Sequence, residues 1–361
     1  MISAIFAGVM TGGRPGSHLV LPLLIVAVIA GAILSVATGP VIISATDLGH
    51  VLLAAAGITP RAAGDATLYT IILDLRLPRV LAALSIGALL ASGGATMQGL
   101  FRNPLADPGL IGVSSGAALA VATFIVFGEL IPSLSASLRY YAMPLAAFAG
   151  GVMVVLLIQR LAYRDGRTDV PTMLLAGIAV TAIVMAGIGL LTFVSDDTRL
   201  RSITFWSLGS LGGIGWAAVA ILAPLALICL SVSLRFAAVL DGLMLGEREA
   251  FSLGFEVEAA KRLMIFTVAA GVGAAVAFSG LIGFVGIIAP HMMRLALGSA
   301  HRPLLIGSAL LGGLLLVLAD TVCRVIAAPA ELPIGIVTSL VGAPFFLALL
   351  LGQRRRVFSA S

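Results

Sequence analysis

The sequence has few charged residues and only one lysine. Charged residues make up 10% of the 361 residues, whereas soluble domains carry roughly 25%. A phosphate-binding loop of the type G-x-x-x-x-G-K-[ST] needs a lysine that reaches the β- and γ-phosphates of ATP. The only lysine, Lys261, lies between Ala260 and Arg262. The chain therefore lacks this ATP-binding loop. If ATP powers an activity of this chain, we expect a partner protein to hydrolyse that ATP.

Cysteine and buried charge are also scarce. The two cysteines, Cys229 and Cys323, lie in apolar runs far apart in the sequence, which favours two packed thiols over a disulfide framework or a metal site. The apolar segments contain no chain of carboxylates suited to a proton relay, which argues against a proton-coupled carrier. We therefore predict no catalytic residue, no metal site and no cofactor.

Apolar residues, by contrast, make up 60% of the chain, and the mean hydropathy is +1.17. A membrane helix needs about 20 largely apolar residues, and the charge-free stretches divide the sequence into ten segments. We predict an all-α polytopic membrane protein, a single transmembrane domain over residues 1–361. The predicted spans are residues 19–44, 80–101, 112–128, 140–159, 172–194, 215–234, 263–279, 284–298, 304–325 and 334–351.

Two further patterns concern the arrangement of these spans. Residues 87–91 (GALLA) resemble residues 273–277 (GAAVA), which hints at an inverted-repeat-like arrangement. With the N-terminus in the cytoplasm, fourteen basic residues lie inside and seven outside. Because cytoplasmic loops carry an excess of arginine and lysine, we expect both termini to be cytoplasmic.

The loop Val239–Arg262 is unusually rich in charge for this chain. Within it, residues 246–254 (GEREAFSLG) predict a short helix with acidic residues in its first turn and Gly254 at its C-terminal end. This helix is either an ordinary connecting helix at the lipid surface or a peg that docks into a soluble partner. The residues alone leave both interpretations open.

The predicted outer side has its own polar features. Residues 44–47 (SATD) fit a capping box before an amphipathic stretch that reaches Ala56. The pair Arg76 and Arg79 around Pro78 fits either membrane-interface anchors or docking points for an acidic partner. Asp320 and Arg324 are four residues apart on one helix and are expected to pair.

Two segments rich in glycine and proline, residues 103–109 and 279–286, interrupt the apolar runs. Irregular backbone at membrane depth is tolerated only where it is shielded from lipid, so such segments mark cavities or substrate paths.

Several of these motifs together resemble one family. They are RLPR at 76–79, GGATMQGLFRNPLADPGLIGVSSGA at 93–117, LGE at 245–247, GFVG at 283–286 and AELPIG at 330–335. The chain resembles the permease subunits of the ATP-binding-cassette importers for iron-siderophores, haem and vitamin B12 (FecCD-like, type II importers). The resemblance covers roughly residues 20–352.

The resemblance implies a homodimer in the bacterial inner membrane with a path along its two-fold axis. Two cytoplasmic ATP-binding subunits would bind the internal loop, at Leu243, Leu245, Gly246, Glu247, Ala250, Phe251, Leu253 and Gly254. A periplasmic substrate-binding protein would dock against Arg76, Arg79 and Arg324. A short outer helix would follow span five at about residues 201–212, with Trp206 at the interface.

The resemblance also implies a cytoplasmic gate at Asn103 and Leu105, after span two, and at Val170 and Pro171, before span five. The second pair departs from the small hydroxyl residues of the vitamin B12 relative. Residues 100–109 (LFRNPLADPG) look closest to haem permeases, with vitamin B12 permeases next and ferric-siderophore permeases further away.

The expected function is therefore import of an iron chelate, with haem as the first choice. The alternatives are a ferric-siderophore or vitamin B12 importer of the same family. An alternative from a different class is a self-sufficient secondary carrier, which the amphipathic internal loop and the missing relay charges disfavour.

Overall fold

The computed structural model describes residues 17–41, 43–60, 66–128, 136–164 and 166–358. Within them the chain forms fourteen helices and one short hairpin. The helices are α1 (Ser17–Ala37), α2 (Ala45–Ala55), α3 (Ala66–Leu100), α4 (Val113–Phe127), α5 (Ala136–Ala162), α6 (Val170–Phe193), α7 (Asp197–Ser207), α8 (Trp216–Arg235), α9 (Ala237–Leu245), α10 (Glu247–Ser252), α11 (Val257–Ser279), α12 (Val285–Leu297), α13 (His301–Ile326) and α14 (Ile334–Phe358). Strands β1 (Tyr163–Arg164) and β2 (Arg167–Thr168) pair antiparallel between α5 and α6.

Each of the ten predicted apolar segments lies on its own helix. In chain order these helices are α1, α3, α4, α5, α6, α8, α11, α12, α13 and α14. Seven helices are long and apolar enough to cross a membrane within the described residues, whereas α4, α12 and the described start of α14 are shorter apolar helices. The chain is an all-α polytopic membrane protein.

The first segment ends earlier than its apolar run. The run extends to Ser44, but α1 ends at Ala37, because Gly39 and Pro40 follow and the residue before a proline is held away from the helical region. The predicted capping box then opens α2. The hydroxyl oxygen of Ser44 accepts a hydrogen bond from the backbone N–H of Asp47 at 3.1 Å, so the half of the capping box that Ser44 makes is confirmed.

The second segment begins earlier than predicted, because helical structure already starts at Ala66 rather than at Val80. A π-helical stretch, Thr70–Arg76, ends two residues before Pro78, and the N–H of Leu77 donates to the carbonyl of Ile72, five residues back. Proline has no N–H, and its ring crowds the carbonyl one turn earlier. The wider π turn accommodates this proline inside a continuous helix.

Helix α3 is the centre of the bundle and packs against α8, α11, α12 and α13. Glycines allow two of these contacts to be backbone to backbone. A Cβ on Gly87 would come 2.2 Å from the carbonyl oxygen of Gly312 in α13, and one on Gly94 would come 1.9 Å from that of Gly286 in α12. Small residues that let helices approach closely are a common device in membrane bundles.

Helix α6 is the opposite case, because most of its apolar surface is uncovered, as it also is in α1, α5 and α8. Only 17% of its most apolar stretch is buried, compared with 83% for α3. Its exposed side chains include Leu175, Ile178, Ile183, Leu190 and Phe193. In a membrane such a surface faces lipid tails or another apolar protein surface.

Candidate functional site

The first candidate site is the tip formed by α9 and α10. Gly246 separates the two helices with a φ of 141°, a conformation that L side chains rarely adopt. Gly254 follows α10 with a φ of +86°, as predicted for a residue at a helix C-terminus.

The predicted coupling residues divide into two sets at this tip. Leu243 and Ala250 are buried and anchor the tip to the bundle. Leu245, Phe251 and Leu253 point outward and are 70%, 74% and 61% exposed. An exposed apolar set on an otherwise charged loop is typical of a contact with another protein or with the membrane surface.

Glu247, at the start of α10, has a partner inside the protein. Its Oε1 lies 2.5 Å from Nζ of Lys261, whose side chain is 3% exposed. The same Nζ donates to the backbone carbonyl of Thr168 in β2 at 3.4 Å. The sequence drew attention to Lys261 only as a single lysine, and no pattern linked it to residue 168.

A second candidate site is the cluster of arginines at the ends of α3 and α13. Arg76 is 6% exposed, and its guanidinium donates to the backbone carbonyls of Val36, Ala37 and Val41. These carbonyls lie at and just beyond the end of α1, where helical partners are missing. Arg76 therefore ties the end of α1 to α3.

Arg79 and Arg324 share one carboxylate. Asp320 lies 2.8 Å from Arg79 and 3.1 Å from Arg324, which confirms the predicted pairing of Asp320 with Arg324. Arg324 also donates to the hydroxyl of Ser35 at 2.7 Å.

Glu331 completes the cluster from the loop after α13. It accepts from Arg79 at 2.7 Å, and its side chain is 44% exposed. The hydrogen bond from Arg79 lowers the pKa of the Glu331 carboxyl. All three predicted docking arginines thus contact groups of their own chain, and their role toward a partner stays a prediction.

The predicted gate residues lie in two loops. In the first, the Oδ1 of Asn103 accepts from the N–H of Leu105 at 3.0 Å, which forms a tight turn, and Leu105 is 38% exposed. The loop continues into a 3-10 turn at Pro108–Ile111 that packs on α6. A Cβ on Gly177 of α6 would come 2.1 Å from the carbonyl of Leu110.

In the second loop, Val170 and Pro171 form the first turn of α6. The carboxylate of Asp169 caps this turn by accepting from the N–H of Thr172 at 2.9 Å, and hydrogen bonds from Thr172 lower the pKa of Asp169. Proline is favoured in a first turn because its missing N–H has no helical partner there. The contact between the 3-10 turn and α6 connects the first loop to the helix that begins at the second.

A cavity of about 300 Å³ lies at the junction of α5, α7 and α11. Trp206 and Phe278 line it, together with the broken segment at Ser279 and Gly280. Helix α7 begins at Asp197 and ends at Ser207 rather than spanning 201–212, because Asp196 caps its N-terminus and accepts from the N–H of Arg199 at 2.9 Å. Among the described residues, no group of three or more His, Cys, Asp or Glu side chains could hold a metal ion.

Comparison with known proteins agrees with this architecture. The sequence profile of the FecCD transport family matches residues 23–352. The hemin transport system permease protein of Yersinia pestis is 46% identical over 289 residues, which are 80% of this chain and 85% of that protein. The cobalamin import system permease protein of Halobacterium salinarum is 40% identical over 284 residues, 79% of this chain and 74% of that protein.

A solved structure, described as an inward-facing conformation of a metal-chelate type ABC transporter, gives a TM-score of 0.79 at 32% identity. It covers 92% of this chain and 98% of that chain. The helical bundle agrees with these matches, and the chain belongs to the FecCD transport family.

Proposed function

We propose that this chain is the membrane subunit of an ATP-driven importer that carries haem from the periplasm to the cytoplasm. Membership of the family makes the chain an importer permease whose ATP is hydrolysed by separate subunits. Two observations support haem as the cargo: the 46% identity to a hemin transport permease and the sequence of residues 100–109. Vitamin B12 is the second candidate, because other relatives are cobalamin permeases.

The observation that carries the energy coupling is the exposed apolar tip. Leu245, Phe251 and Leu253 would insert into a groove of each cytoplasmic ATP-binding subunit, with Leu243, Gly246, Glu247, Ala250 and Gly254 holding the tip in shape. An amphipathic helix that lays its apolar side into a hydrophobic groove is a common mode of recognition. Two such subunits would serve two copies of this chain.

The pairing with a second copy rests on the exposed apolar surface of α6. A path along the two-fold axis between the copies would be lined by α6 and α14, whose Leu340 and Val341 are also well exposed. Asn103, Leu105, Val170 and Pro171 would close its cytoplasmic end. The chain would lie in the bacterial inner membrane with both termini cytoplasmic, although residues 1–16 and 359–361 fall outside the described part of the chain.

The test is reconstitution in vesicles with the matching ATP-binding subunit and binding protein. Haem uptake should require ATP and all three proteins, and the purified chain alone should hydrolyse no ATP. Cobalamin and a ferric siderophore, offered in excess, should compete poorly. Uptake by the chain alone, driven by an ion gradient, would instead identify a self-sufficient carrier, and preferred uptake of cobalamin would correct the cargo.

The periplasmic binding protein is proposed to dock where Arg76, Arg79 and Arg324 lie, through carboxylates of its own. Ion pairs between two such proteins steer association and weaken with salt, and Arg79 is the most accessible of the three arginines, with 12% of its side chain exposed. In the free chain the carboxylate of Glu331 pairs with Arg79 and competes with carboxylates of the binding protein. Glu331→Gln removes this competitor and should speed association of the binding protein at low salt. Arg79→Gln removes the cation and should slow association. Unchanged association in both variants would show that docking depends on other groups.

A further inference from the structure

We propose that Lys261 is a positioning residue that links the ATPase-docking tip to the start of α6. This inference rests on the proposed function, since it needs an ATP-binding subunit that moves the tip. In this proposal, the movement of the tip reaches α6, the helix expected to line the transport path, through the buried ammonium group of Lys261.

The link begins at the tip. Glu247 is the first residue of α10, and its carboxylate meets Nζ of Lys261 at 2.5 Å. Phe251, on the same short helix, is 74% exposed and lies only four residues further on. A displacement of the docked face of α10 therefore displaces the carboxylate that holds Lys261.

The link continues from Lys261 to the hairpin. Nζ of Lys261 donates to the carbonyl of Thr168 at 3.4 Å. Glu258, one turn earlier on α11, also binds Thr168. Its carboxylate accepts hydrogen bonds from the backbone N–H of Thr168 at 3.0 Å and from the Thr168 hydroxyl at 2.5 Å. Thr168 is 3% exposed, and α11 holds it by three polar contacts.

The hairpin passes the connection to α6. The N–H of Asp169 donates to the carbonyl of Ala162 at 3.0 Å, which closes the hairpin, and Asp169 caps the first turn of α6. Val170 and Pro171, the proposed gate residues, come next. The chain of contacts thus runs from α10 through Lys261 to the cap of the helix that begins at the gate.

Packing alone does not account for a lysine here. A buried ammonium loses its hydration, and its partner Glu247 keeps 39% of its side chain exposed, so this ion pair offsets only part of that cost. An apolar side chain at position 261 would fill the space but would hold neither Glu247 nor Thr168. What the ammonium adds is a directional connection from the tip to the hairpin, which lies 93 residues before Lys261 in the sequence.

The experiment uses the reconstituted complex with haem as the transported probe. Lys261→Met removes the charge at similar volume, Lys261→Arg keeps it, and Arg302→Met is the control because it removes an exposed cation near the start of α13. We measure ATP hydrolysis, haem uptake and the distance between spin labels at an Arg167→Cys site in the two subunits, with and without ATP.

In Lys261→Met we expect ATP hydrolysis to continue while uptake per ATP falls at least about tenfold, as fits the loss of charge-assisted hydrogen bonds. The ATP-dependent change in the spin-label distance should disappear. Lys261→Arg should restore most of the uptake, and Arg302→Met should behave as wild type. Unchanged uptake per ATP and an intact distance change in Lys261→Met would overturn the proposal.

A second variant covers the case in which Lys261→Met does not assemble. Glu247→Gln keeps an acceptor for Lys261 without its charge, and it should lower uptake per ATP more mildly. In combination with Lys261→Met it should add little, because residues that act through one contact are not additive. Wild-type uptake per ATP in Glu247→Gln would overturn the link. Failure of the wild-type complex to bind its ATPase or import haem would instead refute the proposed function.

Discussion

Asp320 has 2% of its side chain exposed and lies between two guanidinium groups. Its charge holds Arg79 and Arg324 together, and through them it joins α3, α13 and the end of α1. Breaking a buried ion pair by removing one partner is strongly destabilising, because the remaining charge is left without compensation. Here the removal would leave two arginines close to each other.

We expect Asp320→Asn to lower the free energy of unfolding by about 3–5 kcal/mol. The matched control is Glu331→Gln, which removes a carboxylate from the same Arg79 at a half-exposed position. Exposed ion pairs contribute at most about 1 kcal/mol, so this variant should melt close to wild type. Thermal unfolding of both variants in detergent gives the comparison, and equal melting temperatures would contradict this account of the cluster.

The two contacts of this cluster differ in how readily the sequence reveals them. Asp320 and Arg324 are one helical turn apart, and that spacing predicts their pairing. Arg79 and Glu331 are 252 residues apart, and no local pattern connects them. The same holds for Lys261 and Thr168, which only the packing of α11 beside the hairpin brings together.

At the scale of helices, the tip formed by α9 and α10 combines a buried side with an exposed one. Phe251→Asp changes only the exposed side, so the chain should fold and reach the membrane normally. The charge would enter an apolar groove of the ATP-binding subunit, and we expect at least about a tenfold loss of affinity, as for truncation of a central apolar anchor. Co-purification from detergent measures this.

The matched control for this variant is Leu161→Asp. Leu161 is an apolar residue near the end of α5, is 55% exposed and lies outside the tip. The same charge placed there should leave binding of the ATP-binding subunit unchanged. If Phe251→Asp also binds normally, α10 is a connecting helix and not the docking element.

The close approach of α3 and α13 gives a second test at this scale. Gly87→Ala places a Cβ against the backbone of Gly312, so the two helices must separate, and overpacking of this kind typically costs about 1–3 kcal/mol. Gly49 of α2 has nothing within 4 Å of such a Cβ, and Gly49→Ala should stabilise by roughly 0.5–1 kcal/mol. Opposite shifts in melting temperature are expected, and shifts of the same sign would argue against the packing described.

The positions of the helices follow from apolar runs, and their ends follow from local chemistry that hydropathy does not register. Pro40 shortens α1, and a π turn lets α3 continue through Pro78. Asp196 starts α7 four residues before the predicted position. A proline decides the end of α1 and a cap decides the start of α7, whereas in α3 the π turn keeps a proline from ending the helix.

At the scale of the whole molecule, the uneven burial of the helices is the main evidence on how the chain assembles with other copies. Helix α3 is enclosed by its own chain, while α6, like α1, α5 and α8, leaves its apolar surface open. A subunit that works alone would need only lipid at that surface. A subunit that forms half of a path would place a second copy there, with the loop at Asn103 and Leu105 near the two-fold axis.

The last prediction tests that arrangement directly. In the assembled importer, Leu105→Cys should form a disulfide between the two copies in the outward-open state and block haem uptake, because the loops meet where the path closes. The two native cysteines are buried and unpaired, so they add little background.

The crosslink should weaken when ATP binding changes the gate, since an irregular loop shifts more easily than a packed helix. Leu145→Cys, on the exposed face of α5, is the control and should not crosslink. Non-reducing gels at each nucleotide state report the result. If the cysteines at position 105 never approach each other in any state, the loop is only a connector between spans. The element that closes the path would then lie at Val170 and Pro171, at the end of the contacts that begin at Lys261.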